Sequence, residues 1–405
     1  MSPPSTSPPT PEVLQARAAW SRLVEPGDTV AGALVAALGP VEALSWLREV
    51  APVIRSVGVV GAVGVPPSAA AHLSAAARRW LPRLEALDPV RDLGTLERLG
   101  GFVLVPEGPG WPTGLGDLGA AAPLCLWVRG APRLDRLLDR SVAIIGARAC
   151  TAYGEQVTAE VAGGVAAAGW TVVSGGAYGI DAVAHRAALA SEGRTVAFLA
   201  GGIDRPYPAG NARLLHALAD AGGAVVSEVP PASVPSKVRF LQRNRLIAAV
   251  SRATVVVEAA WRSGALNTAS HAAGLLRPVG AVPGPVTSAA SAGCHRLLRS
   301  GSAVCVTDAA EILELIGSIG TDLAAEPHGP QRPGDGLPLE LRRALDGLPV
   351  RRPAEVDSLA RAAGLTESEV RSALGRLELA GLAARVGTGW CRTNVLNVSD
   401  GTGQV

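Results

Sequence analysis

Aromatic residues are scarce in this chain: eight Trp, three Tyr and three Phe among 405 residues. A core for a chain of this length must therefore be built mainly from Ala, Val and Leu, and an aromatic set among polar residues needs its own explanation. Lysine is scarcer still. Lys237 stands alone beside 36 arginines, a bias of composition in which the exception is of interest because a compact ammonium differs from a planar fork. The five cysteines (Cys125, Cys150, Cys294, Cys305, Cys391) form no Cys-x-x-Cys pair and no set with His at ligand spacing. That argues against a disulfide framework and against structural zinc, and for a reducing compartment. Met1 to Pro11 lacks the basic and apolar regions of a signal peptide. The uncharged stretch Ser56–Ala77 is broken by Pro66-Pro67 and by glycines, so it does not read as a membrane span. A cytoplasmic chain with no membrane partner is the expectation.

Catalytic signatures are missing too. The neighbours of Lys237 are Ser236 and Val238, so there is no Gly-Lys-Ser/Thr phosphate loop. No G-x-S-x-G elbow, no H-E-x-x-H pair and no acidic cluster for two magnesium ions occurs. The one G-x-G-x-x-G match, Gly114-Leu-Gly116-Asp-Leu-Gly119, follows Trp111-Pro-Thr and not a strand, so it carries no dinucleotide reading. No metal and no cofactor is expected.

What is present is an alternation. Apolar runs without polar interleaving occur at Ser141–Gly146, Thr171–Gly176, Thr195–Gly201, Ala224–Val229, Ala253–Ala259 and Pro278–Pro283, separated by helix-length segments. Such runs predict an α/β fold, a parallel Rossmann-like sheet covered on both faces, with ligands held beyond the carboxyl ends of its strands. The domain expectation is a tail at 1–12, a helical N-terminal domain at 13–87, the Rossmann-like domain at 88–320, a Pro/Gly/acid-rich linker at 321–336, a winged helix at 337–395 and a tail at 396–405. The winged helix rests on three short helix patterns and a hairpin-like end around Gly387-Thr-Gly389. Its third helix opens with a capping box, Thr366 with Glu369, and a staple, Leu365 against Val370.

Three glycine clusters fall at strand ends: Gly146-Ala-Arg148; Ser174-Gly175-Gly176 running into Gly179-Ile-Asp181; and Gly201-Gly202-Ile-Asp204 with Tyr207-Pro208 and Asn211. Backbone amides there and the helix starts behind them favour an anion, and Arg148 adds a bidentate donor. Tight-turn chemistry is the plainer alternative for each. Asp181 and His185 could form an acid–base dyad, but no nucleophile accompanies them and a structural role is favoured.

The net charge of +2 conceals an asymmetry. Between Pro230 and Thr307, nine basic residues face one acid, Glu258, leaving 28 basic against 34 acidic residues elsewhere. A local excess of this kind points to a polyanion, although arginines also solvate helix faces. Within it, Lys237-Val-Arg239-Phe240-Leu-Gln-Arg243-Asn244-Arg245 places one of three phenylalanines among four cations. Cations for phosphates and an aromatic for a base suit sequence-tolerant single-strand binding; the alternative is a phenylalanine anchoring its helix to the sheet.

Taken together, the motifs above, with Ser263-Gly-x-Leu266-x-Thr268-Ala269, Pro283-Gly284 and Gly293-x-x-x-Leu297-Leu298-x-x-Gly301, resemble the DNA-processing DprA (Smf) family over about residues 101–306. The resemblance implies an extended Rossmann-like core that binds single-stranded DNA without catalysis, forms homodimers and loads RecA recombinase onto incoming strands in natural transformation. It implies DNA contacts at Arg148, Lys237 and Phe240, with Arg243 and Asn244 in the same motif, and the glycine turns at Gly146, Ser174, Gly175 and Gly176 are expected to floor the DNA groove. The chain departs from the family pattern at His295 and at Leu241-Gln242. A Rossmann-like nucleotide-binding or nucleotide-processing enzyme is the alternative function.

Overall fold

A computed structural model describes residues 8–56, 67–317 and 334–393. Most of the expected tails and linker, and part of the uncharged Ser56–Ala77 stretch, lie outside the described residues. Contacts divide the chain into two compact units, Met1–Ala324 and Ala325–Val405.

The first unit opens with five helices: α1 (Pro11–Leu23), α2 (Thr29–Leu38), α3 (Pro40–Ser56), α4 (Pro67–Leu84) and α5 (Pro89–Arg98). Their starts are chemically marked. Thr10, Asp28 and Asp88 accept hydrogen bonds from the first free amides of α1, α2 and α5, and Pro occupies the first turn of α1 and α5. Helix α1 therefore begins inside the segment read as a tail, and α5 carries the helical region past Leu87. Trp20 and Trp80 meet edge to face at 5.4 Å in the core of this layer. The Trp127 indole donates to the Ser21 hydroxyl at 3.1 Å, tying α1 to the sheet that follows.

That sheet comprises β1 (Gly101–Leu104), β2 (Leu126–Gly130), β3 (Ser141–Ile145), β4 (Thr171–Ser174), β5 (Thr195–Leu199), β6 (Ala224–Ser227), β7 (Ala253–Val256), β8 (Val279–Ala281) and β9 (Val304–Cys305), in the spatial order β1-β2-β6-β5-β4-β3-β7-β8-β9. All six strands expected from the sequence form. From β6 to β9 the sheet is parallel, while β1 and β2 add an antiparallel edge. Every residue of β3 to β8 is buried, which is why these strands show no polar alternation. Helices α6 (Leu134–Asp139), α7 (Ala152–Ala167), α8 (Ile180–Ala190), α9 (Ala212–Asp220), α10 (Lys237–Val250), α11 (Ala265–Gly274), α12 (Ala292–Arg299) and α13 (Ala309–Ile316) connect and cover them. The strand order reverses at β3, which has β4 on one side and β7 on the other. In a doubly wound sheet a ligand crevice opens at that reversal, beyond the carboxyl ends.

The second unit has α14 (Leu339–Gly347), α15 (Val356–Ala363), α16 (Glu367–Leu379) and the hairpin β10 (Ala383–Val386) and β11 (Gly389–Arg392). Leu341, Leu345, Leu359, Val370, Leu374 and Leu377 share its core. Both halves of the capping box at Thr366 and Glu369 form.

Candidate nucleic-acid interface

A cleft of about 900 Å³ opens at the reversal point. Ile145 at the end of β3 with Gly146 and Arg148 after it lines one side, Arg262 to Ala265 after β7 another, and Lys237, Phe240, Arg243 and Asn244 of α10 a third.

The loop carrying Arg148 is fixed from below. Gly179 has φ +74°, and a side chain there would strike the Ala147 and Arg148 backbone. The Ile180 amide donates to the Ala147 carbonyl at 3.1 Å. Farther along, the Thr151 amide and hydroxyl both donate to Glu258. Glu258, the one acid of the basic segment, is 1% exposed and so does not cancel positive charge at the surface. Arg148 itself is exposed, with its guanidinium 4.5 Å from the centre of the Phe240 ring.

Helix α10 begins at Lys237, capped by the Ser236 hydroxyl, which accepts from the Arg239 amide at 3.2 Å. Its positive end thus opens on the cleft with Lys237 exposed beside it. Phe240 is half-buried and belongs to none of the hydrophobic clusters; its neighbours are Arg148, Arg243 at 5.9 Å and the tilted Tyr207 ring at 6.0 Å. The phenylalanine is therefore not a core anchor. The four cations around it in the sequence do not all surround it in space. Arg239 is bound by Glu25 at 2.9 Å and Arg245 by Glu228 at 2.7 Å.

The same sorting holds across the basic segment. Arg239, Arg245, Arg252 and Arg277 are each paired with an acid from outside it, namely Glu25, Glu228, Asp139 and Asp117. Lys237, Arg243, Arg262, Arg296 and Arg299 have no carboxylate at salt-bridge distance among the described residues. The positive surface is smaller than the residue count implies, and three of these five cations, Lys237, Arg243 and Arg262, line the cleft.

Arg243 is 6% exposed, and its Nε and Nη1 have no hydrogen-bond partner among the described residues. Burial pushes its pKa down to about 10, Asp181 opposing and Arg148 adding to the fall, so it remains charged at neutral pH. Gly175 is glycine because a side chain there would overlap that guanidinium. Asn244 donates to Asn267 at 3.2 Å and pins α10 to α11.

The second glycine cluster departs from the expected anion cradle. The Gly175 and Ala177 amides donate to the Asp181 carboxylate, which burial pushes above the usual aspartate range while Arg243 opposes. The Ser174 hydroxyl is fully buried and donates to the Ile144 carbonyl at 2.7 Å, tying β4 to β3. Gly176 is also buried, and its carbonyl accepts from Asn211. In the third cluster the Gly202 amide donates to Ser233, and Asp204 accepts from the Ala232 amide. These backbone amides are satisfied internally, and of the two later clusters Ala177, Asp181 and Tyr207 line the cleft beside Gly146 and Arg148. His185 is wholly buried, 2.7 Å from the Thr195 hydroxyl, which itself donates to Val172. Nδ1 is therefore the protonated nitrogen, and burial lowers the pKa to about 3. The histidine has its own partner and does not pair with Asp181. Sequence reasoning left Tyr207, Arg262 and Asn267 off the site; the available signal was Tyr207, an aromatic beside a strand-end glycine pair.

Residues 102–317 match the family described as DNA recombination-mediator protein A, and residues 327–389 match the DprA winged helix domain. The chain is 47% identical over 378 residues to a putative DNA processing protein DprA of Mycobacterium tuberculosis, covering 90% of this chain and 91% of that one. It is 39% identical over 274 residues to protein Smf of Escherichia coli, covering 67% and 72%. The solved DprA of Streptococcus pneumoniae superposes with a TM-score of 0.60 at 27% identity, covering 77% of this chain and all of that one.

Proposed function

This chain belongs to the DNA recombination-mediator protein A (DprA/Smf) family, and from that premise we propose that its cleft binds single-stranded DNA with little sequence preference. The observation carrying the reading is Phe240: a half-buried aromatic outside the core, flanked by Arg148 and Arg243 beside the open N-terminus of α10. A base stacks on a ring of any such kind, while cations and helix amides hold phosphates. The unpartnered Arg243 nitrogens supply a further reason for an anion, because a buried guanidinium lacking acceptors is costly until one arrives. We propose direct contacts at Arg148, Lys237, Phe240 and Arg243, with Gly146 and Gly175 giving room, and Ser174, Gly176 and Asn244 shaping the wall.

The protein then acts without chemistry on the strand, as a cytoplasmic homodimer that hands it to RecA. In support, Asp181 accepts from the Gly175 and Ala177 amides while His185 is buried against Thr195, so the two do not form an acid–base dyad. The winged-helix unit is assigned to a partner or to regulation. Its α16 begins with Glu367 and Glu369, and Arg371 is drawn to Glu367 at 2.9 Å, a poor lead for a groove-reading helix. A competition measurement tests the reading: mononucleotides in large excess should fail to displace a bound oligothymidine, whereas displacement at equal nucleotide concentration would favour a mononucleotide site.

A further inference from the structure

Seven of the eight tryptophans belong to hydrophobic clusters: Trp20, Trp46 and Trp80 in the helical layer, Trp111, Trp127 and Trp170 around the sheet, and Trp390 in the second unit. Trp261 belongs to none and is 55% exposed. A singly exposed apolar residue is ordinary, so what marks Trp261 is the cation beside it and the cleft residue that follows it.

Its surroundings repeat those of Phe240. The Arg296 guanidinium of α12 lies 5.2 Å from the centre of the Trp261 ring, as Arg148 lies 4.5 Å from that of Phe240. The next residue, Arg262, lines the cleft and is exposed. Trp261 follows β7, the strand paired with β3 on the side away from β4 and β5, whereas Tyr207 beside Phe240 follows β5. Trp261 and Tyr207 therefore follow strands on opposite sides of β3, with the Arg148 loop between them. The second is firmly held: the Gly293 amide donates to the Ala259 carbonyl at 2.7 Å, and the buried Cys294 thiol sits against the Val256 carbonyl.

We propose that Trp261 is a second base-stacking platform, taking nucleotides that run past Phe240 across Arg148 and Arg262, with Arg296 orienting its ring and meeting a phosphate. The occupant is single-stranded DNA rather than a protein, because Trp261 is next in the chain to Arg262, which lines the cleft, and Arg262 and Arg296 are two cations without carboxylate partners among the described residues. This rests on the single-strand reading above and sets the length of strand the site covers.

The test uses the full chain and fluorescein-labelled oligothymidines from about 4 to about 20 nucleotides, a range spanning known single-strand site sizes. Trp261→Ala should leave the shortest bound oligomers unaffected and weaken longer ones by about 5-fold or more, the loss expected of one stacked base. Trp261→Phe should restore most of the difference, and thermal melting of both variants should match the parent. Phe240→Ala should weaken all lengths. Equal affinities of parent and Trp261→Ala at every length would overturn the proposal while leaving the Phe240 site intact. A parent protein that binds no oligothymidine at all would overturn both readings.

Discussion

Replacing Phe240 by alanine separates a binding role from a structural one. A fully buried phenylalanine cut to alanine costs on the order of 3–5 kcal/mol of folding, from lost transfer energy and the cavity left behind. Phe240 is only half-buried, packs into no hydrophobic cluster, and touches chiefly the Arg148, Arg243 and Tyr207 side chains. What folding loses is mainly the Arg148 contact, worth about 0.5–1 kcal/mol at a site this open. For a unit of this size, 1 kcal/mol corresponds to about 2–4 °C, so the melting temperature should fall by no more than that. Binding should lose about 1–3 kcal/mol, or roughly 5- to 150-fold in affinity, because each stacked base is worth that much. Fluorescence anisotropy with labelled oligothymidine, run beside differential scanning calorimetry, reads both quantities on one preparation. Phe240→Trp should bind within a few-fold of the parent. A Phe240→Ala protein that melts ten degrees or more early, or that binds as tightly as the parent, would refute the reasoning.

Three further outcomes are expected. Lys237→Ala should lower the slope of log affinity against log salt by about 0.7, while Arg245→Ala should cost about 3–5 kcal/mol of folding by stranding Glu228, both partners being largely buried; denaturant melts and salt titrations distinguish the two classes of cation. His185 has a folded pKa depressed to about 3 from 6.5, so its contribution is present above pH 6.5 and is lost as pH falls toward 3. At pH 5 that loss is about 2 kcal/mol, and His185→Asn, which keeps a donor toward Thr195, should remove this part of the acid sensitivity in urea melts. Deleting residues 325–405 should leave oligonucleotide affinity within a few-fold, and a loss of all binding would place the reader in the winged helix.

The parallel core was legible because its strands are buried on both faces and so appear as unbroken apolar runs at Val142–Ile145 or Val255–Val257. The outer strands, β1 and β2 on one side and β9 on the other, were not. Gly101–Leu104 is half-covered, Leu126–Gly130 is buried only over its first three residues, and Val304–Cys305 is exposed, so none carries that signature. Arg148, Lys237 and Phe240 line the cleft, and each stood out because a cation after a strand-end glycine, a solitary lysine and an aromatic among arginines are visible in one dimension. Which arginines were free was not. The partners of Arg239 and Arg245 lie 214 and 17 residues away, and only the folded chain brings them together. The Ser174-Gly-Gly turn reads as an anion cradle in one dimension because nothing there aims the Asp181 side chain, which accepts from the Gly175 and Ala177 amides.

The central claim is a cleft for single strands, and the most direct test compares one labelled oligothymidine with a blunt duplex of equal length as salt is raised. The single strand should bind more tightly at every salt concentration, with log affinity falling by about 0.7 per phosphate contacted for each unit of log salt. Equal affinity for the duplex, or an affinity that does not respond to salt, would contradict the account.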